Sequence, residues 1–111
     1  MQAISLHDNW VFNDDNPYAE PLFVTENGRI LRFTLKPGQF VQEHTAPNSP
    51  VYIVVLKGEG LFSGDDSQEE RFGPGDLLIF DTGEPHAIRA DNEELVFVAF
   101  LHGVPEAPWH R

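Results

Sequence analysis

Two histidines, His44 and His86, each stand inside a short segment punctuated by glycine and proline: Gly38 to Gly58, and Gly75 to Ala90. A neutral imidazole is a metal ligand, and free imidazole titrates close enough to neutral pH to act as a general base. In the first segment, GQFVQEHTAPNSPVYIVVLKG, two-residue alternation along a strand puts Gln42, His44 and Ala46 on one face. Gln42 could therefore add a carbonyl oxygen to whatever His44 holds. His102 closes the last apolar run and is placed to reach the rim of the same site. In the second segment, GDLLIFDTGEPHAIRA, His86 and Ile88 share a face and Arg89 takes the other. Asp81 reads as a turn residue rather than a base, because a short carboxylate in a Gly-bounded turn bonds nearby backbone. His7 and His110 lie near the ends, where exposure is expected, and Trp10 and Trp109 read as anchors of terminal arms.

The elements that must carry these residues are strands. Nine Gly and nine Pro interrupt the chain every few residues, and short runs of Val, Ile, Phe and Leu lie between them. Strands are expected near 21–25, 28–35, 39–45, 51–57, 60–63, 69–72, 77–80, 85–90 and 94–101. Asn27-Gly28 predicts a type I′ hairpin turn, and Lys36-Pro37-Gly38, Gly58-Glu59-Gly60 and Gly73-Pro74-Gly75-Asp76 predict further bends. Residues 1–20 and 103–111 read as arms around a core at about 21–101. The pattern is that of an all-β sandwich or barrel with little or no helix. Two runs, VYIVVL from Val51 and LVFVAFL from Leu95, are apolar on both faces, so something must cover the second face. A homodimer is the expected cover, with a terminal arm as the alternative.

Composition narrows the function. The 111 residues fit one domain, and no residue is Cys, which removes disulfides, thiolate metal sites and Cys nucleophiles and fits a reducing cytoplasm. Eighteen acidic against seven basic residues give a net charge of −11, which repels nucleic acid and anionic membranes. No apolar run is long enough to span a bilayer, and the opening MQAISLHDNW has neither the basic nor the apolar region of a secretory signal.

The two segments together resemble the paired motifs of the cupin family. Gly38, His44 and Gly58 fall at the first motif's positions, and Gly75, Gly83 and His86 at the second's. The stretches LKPGQFVQEHTAPNSPVYIVVLKGEG and FGPGDLLIFDTGEPHAIRA are similar to small single-domain bacterial cupins of the RmlC-like kind. The resemblance implies an antiparallel double-stranded β-helix, or jelly-roll barrel. It also implies a site where three His and one Glu hold a metal. Here the second His position is Ala46 and the Glu position is Val51; the motif's Pro is Asp81 and its final Asn is Ala90. Only His44 and His86 carry over as metal ligands.

The expectation is a small-molecule pocket lined by Phe40, Gln42, His44, Val51, Ile53, His86 and Ile88, with a weak divalent metal held by the two His. Zinc, nickel, iron and manganese are not distinguished by the residues. Two alternatives stand beside it: a metal-free ligand-binding or sensor module, and a small metal-dependent isomerase or dioxygenase-like enzyme. The metal-free epimerases of the superfamily use a His–Asp base and a Tyr acid, a set not recognisable here.

Overall fold

In the computed structural model, which describes residues 1–103, nine strands form two antiparallel sheets and no helix is present among the described residues. The strands are β1 (Tyr18–Thr25), β2 (Gly28–Leu35), β3 (Phe40–His44), β4 (Val51–Lys57), β5 (Gly60–Ser63), β6 (Glu70–Phe72), β7 (Leu77–Phe80), β8 (His86–Ala90) and β9 (Leu95–His102). One sheet has the order β1-β2-β9-β4-β7 and the other β3-β8-β5-β6. Consecutive strands repeatedly change sheet, so the chain winds a double-stranded β-helix. No described helix is long and apolar enough to cross a membrane.

Each expected strand is present, with one substantial change at a boundary. β1 begins at Tyr18 rather than at residue 21. Pro21 lies inside it, which is tolerated because β1 is an edge strand and its pairing with β2 slips by one residue between Pro21 and Phe23. The β1–β2 loop corrects the turn prediction. Thr25 pairs with Gly28, leaving Glu26 and Asn27 as the loop, and neither has positive φ. A type I′ turn needs positive φ at both, so this is another turn type. Gly28 is needed for closeness instead: a Cβ there would lie 2.5 Å from the Leu101 carbonyl oxygen.

The inner faces meet in a core of Leu35, Ile53, Val55, Phe62, Leu95 and Phe97. Phe97 stacks on Phe33 with ring centroids 4.9 Å apart and meets Phe62 edge-on at 5.9 Å. The outer face of the five-stranded sheet is covered in part by the N-terminal arm. The buried Arg32 guanidinium donates to the Ser5 and Leu6 carbonyls and to Glu20, and the Thr34 hydroxyl donates to the Val11 carbonyl. Arg32 pairs with Val98 and Thr34 with Val96, and both valines are fully buried. Trp10 anchors the arm, donating its Nε1–H to the Leu6 carbonyl beneath the Lys57 ammonium. The arm thus does much of the covering expected of a second subunit; Trp109 lies outside the described residues.

Gly58 carries the chain from β4 to β5 with φ +74°, and a Cβ there would lie 1.9 Å from the Glu94 carbonyl oxygen. Gly83 has φ +79° but open space around it. Gly83→Ala should therefore cost only the left-handed backbone penalty, about 1–2 kcal/mol. Gly58→Ala should cost clearly more. Urea denaturation of both variants checks this, and equal losses would mean that the backbone at Glu94 yields freely.

Candidate functional site

The turn Asp81-Thr82-Gly83-Glu84 delivers His86. Glu84 N–H donates to the Asp81 carbonyl at 2.9 Å, and the Glu84 carboxylate accepts from Asp81 N–H at 2.9 Å and from Asp65 N–H at 3.3 Å. Asp81 is a turn residue, as its type and position suggest. β8 then turns His86, Ile88 and Ala90 inward and leaves Arg89 exposed.

His44 arrives by a different route. Phe40 pairs with Arg89, Val41 with Ile88 and His44 with His86, so β3 uses one more residue than β8 between the last two pairs. This bulge switches the facing of the strand. Val41 and His44 face the cavity, while Phe40 and Gln42 line the outer surface with Arg89 and Glu69. The expectation that Phe40 and Gln42 share the pocket with His44 is corrected accordingly: strict alternation fails at a bulge.

The two imidazoles meet edge to face, with ring centroids 4.1 Å apart and Nε2 to Nε2 at 3.0 Å. The other nitrogen of each ring is also engaged. His44 Nδ1–H donates to the Gln42 carbonyl at 2.9 Å, and His86 Nδ1–H to the Glu84 carbonyl at 3.2 Å. A carbonyl oxygen only accepts, so each Nδ1 carries hydrogen, assigned here from the partners. Two neutral rings in that tautomer would turn two lone pairs at each other. A single cation between them, either a proton or a metal ion, satisfies all these contacts at once. The alternative neutral pair moves one hydrogen to Nε2 and leaves a lone pair facing a carbonyl.

The pair forms part of the wall of an open cavity of about 490 Å³ between the sheets. Ala46, Val51, Ile53 and Ile88 line it, as do Val41, Phe97 and Leu101. His102 belongs to its rim, but its ring stacks on Tyr52 at 5.7 Å, with Nε2 3.3 Å from the Tyr52 hydroxyl. The positions where cupin metal sites carry a second His and a Glu are thus inside the cavity, filled by Ala46 and Val51. No group of three or more His, Cys, Asp or Glu able to hold a metal occurs among the described residues. With metal–nitrogen bonds of about 2.0–2.1 Å, the 3.0 Å separation suits adjacent positions near a right angle, not a tetrahedron. The donor set therefore falls short of the resident four-ligand metal of the motif. It would suit an ion that draws most of its ligands from water or a bound molecule.

The cupin domain model matches residues 31–102, which span both histidines and the strands that carry them. The chain belongs to the cupin family. Among solved structures, an RmlC-like cupin from Desulfovibrio desulfuricans is 31% identical, with 91% of this chain and 96% of that one covered and a TM-score of 0.80. An uncharacterised double-stranded β-helix protein from Klebsiella pneumoniae is 18% identical, covering 93% and 90%, with a TM-score of 0.85. A predicted oxalate decarboxylase from Thermotoga maritima is 22% identical, covering 86% and 100%, with a TM-score of 0.69. No curated protein sequence matches the chain.

Burial holds the His86 pKa below its ordinary value near 6.5; the Glu84 carbonyl opposes this, and the neighbouring His44 adds to the lowering. Charge is therefore resisted on the enclosed His86 ring. On unfolding, His86 regains its ordinary value, so below about pH 6.5 the unfolded chain binds a proton that the folded one resists. Its contribution to stability is complete above that pH and is lost as the pH falls towards the lower folded value. Melting temperatures at about pH 7.5 and pH 5.5 should separate further in the native protein than in His86→Gln. Equal separations would show that His86 is not the group responsible.

Proposed function

We propose that this cupin is a small-molecule-binding barrel in which His44 and His86 hold one cation at the wall of the cavity. The observation that carries the reading is the Nε2–Nε2 approach of 3.0 Å with both Nδ1 atoms committed to carbonyls. In the metal-free form the cation is a proton, and the site is a polar contact beside an apolar inner wall of Val51, Ile53, Ile88 and Phe97, suited to ligand binding or sensing. In the metal-loaded form the same two nitrogens are weak ligands of a divalent ion. The bound ion would then supply Lewis-acid chemistry to an oxygen of the ligand, with Ala46 and Val51 leaving room beside it. The binding reading is favoured over an isomerase or dioxygenase-like enzyme because apolar residues stand at two of the four ligand positions.

Elemental analysis of tag-free protein separates the two forms. Stoichiometric metal that disappears in His44→Ala supports the loaded form. Absence of metal, with no affinity for added nickel or zinc, supports the proton. Nitrogen-15 spectra of the imidazoles test the proposal itself: one Nε2 should carry hydrogen or show metal coordination. Two bare Nε2 atoms in the folded protein would sink it.

We also propose a cytoplasmic homodimer. Its support is an outer row that the N-terminal arm leaves open. Phe23, Ile30, Phe100, Tyr52 and Ile79 are cross-strand neighbours across β1, β2, β9, β4 and β7, all at least partly exposed and none charged. In a chain of net charge −11, this face lets two copies approach without placing acid against acid. Ile79→Asp should convert a dimer to a monomer in analytical ultracentrifugation, since Ile79 is 61% exposed and its loss leaves the core intact. A native protein that sediments as a monomer would end this reading.

A further inference from the structure

Charge pairing over the described residues leaves one basic side chain over. Arg32, Lys36, Lys57, Arg71 and Arg89 each pair with a carboxylate. Among the described Lys and Arg side chains, Arg29 alone has no such partner, in a chain with eighteen acidic side chains. It also makes no side-chain hydrogen bond there. Arg29 shares a face of β2 with Leu31 and Phe33 by two-residue alternation, and all three line the cavity.

Its place within the cavity is set by register. Arg29 pairs with Leu101, and Leu101 pairs with Val51 on its other side, so the three stand in one row across the inner face. Strands lie about 4.8 Å apart, which puts Arg29 roughly 10 Å along the sheet from Val51. The histidine pair sits on the facing sheet, across a gap of about the same size. The cavity thus has a guanidinium at one lip, the imidazole pair on the opposite sheet, and Leu31, Phe33, Ile53 and Phe97 as apolar wall between them.

We propose that Arg29 anchors the carboxylate of a small monocarboxylic acid whose apolar body lies in this cavity; the proposal rests on the pocket reading above. A guanidinium offers two parallel N–H donors that match a carboxylate, and the geometry favours a planar anion. A single positive charge suits a single negative one. A dianion would meet the field of a −11 chain, and Glu26, the carboxylate at the same lip, with only one cation to offset them.

Calorimetric titration with hexanoate, hexanol and inorganic phosphate tests this on the native protein and on Arg29→Met, Arg29→Lys and Glu26→Gln. Arg29 is exposed, so its replacement leaves the fold intact. At low salt, hexanoate should bind the native protein at least about tenfold more tightly than hexanol, the preference expected of a charge-assisted hydrogen-bonded pair. Arg29→Met should abolish that preference while leaving hexanol binding unchanged. Arg29→Lys should retain part of it, and Glu26→Gln should tighten hexanoate. Equal binding of hexanoate and hexanol, or a preference that survives in Arg29→Met, overturns the assignment to Arg29 and leaves the pocket standing. Phosphate binding as tight as hexanoate overturns the carboxylate. Failure of both hexanoate and hexanol to bind removes the pocket reading and this inference together.

Discussion

Between Val41 and His44, β3 carries one more residue than the stretch of β8 with which it pairs, and the chemistry of the cavity follows from that bulge. Without it, His44 would face outward whenever Val41 faced inward. With it, an apolar wall residue and a polar one both reach the interior, and the Gln42 carbonyl within the bulge is free to accept from the His44 ring. Glu84 does the same for His86 from the turn before β8. Backbone groups therefore choose the tautomer of each ring. With both Nδ1 hydrogens committed, the facing Nε2 atoms turn two lone pairs towards each other.

Burial adds a second constraint. His86 is almost wholly enclosed, while His44 is open to the cavity mouth. Charge is resisted on the enclosed ring, so the two rings of the pair are not equivalent. The surrounding wall is apolar, and Ala46 and Val51 contribute no donor atoms. Polar groups are thus concentrated at a few places in the cavity, the arrangement by which a small pocket orients a ligand.

The rest of the molecule supplies a stiff frame for these places. Phe97 on β9 stacks on Phe33 within its own sheet and reaches the other sheet through Phe62, and β9 is enclosed on both faces over much of its length. The inner face packs into the core. Much of the outer face is sealed by the N-terminal arm, whose carbonyls are captured by Arg32 and Thr34. The two-sided apolar pattern of β9 thus has a largely intramolecular explanation, and among the described residues the row through Phe100 and Tyr52 stays open.

Glycine and proline spacing, with apolar runs between, determined the strands, because turns need particular backbone angles and strands need apolar side chains to bury. The resemblance of the two segments to the cupin motifs singled out His44 and His86 and put Ala46 and Val51 at the other two ligand positions. The bulge in β3 was not legible: it arises from pairing with β8, a strand more than forty residues distant, and local alternation points to Phe40 and Gln42 instead. The early start of β1 was hidden for a similar reason, since Pro21 argues against a strand unless the strand is known to be an edge. Arg29 was open to reading, because it continues the inward alternation of Leu31, Phe33 and Leu35, but an arginine at the end of an apolar face is ordinarily a solvent-exposed terminus. Only the tertiary structure could show that this end opens on the cavity and that the other described cations are already paired. Local sequence sets backbone angles and burial preference; register and pairing across sheets decide which side chains meet.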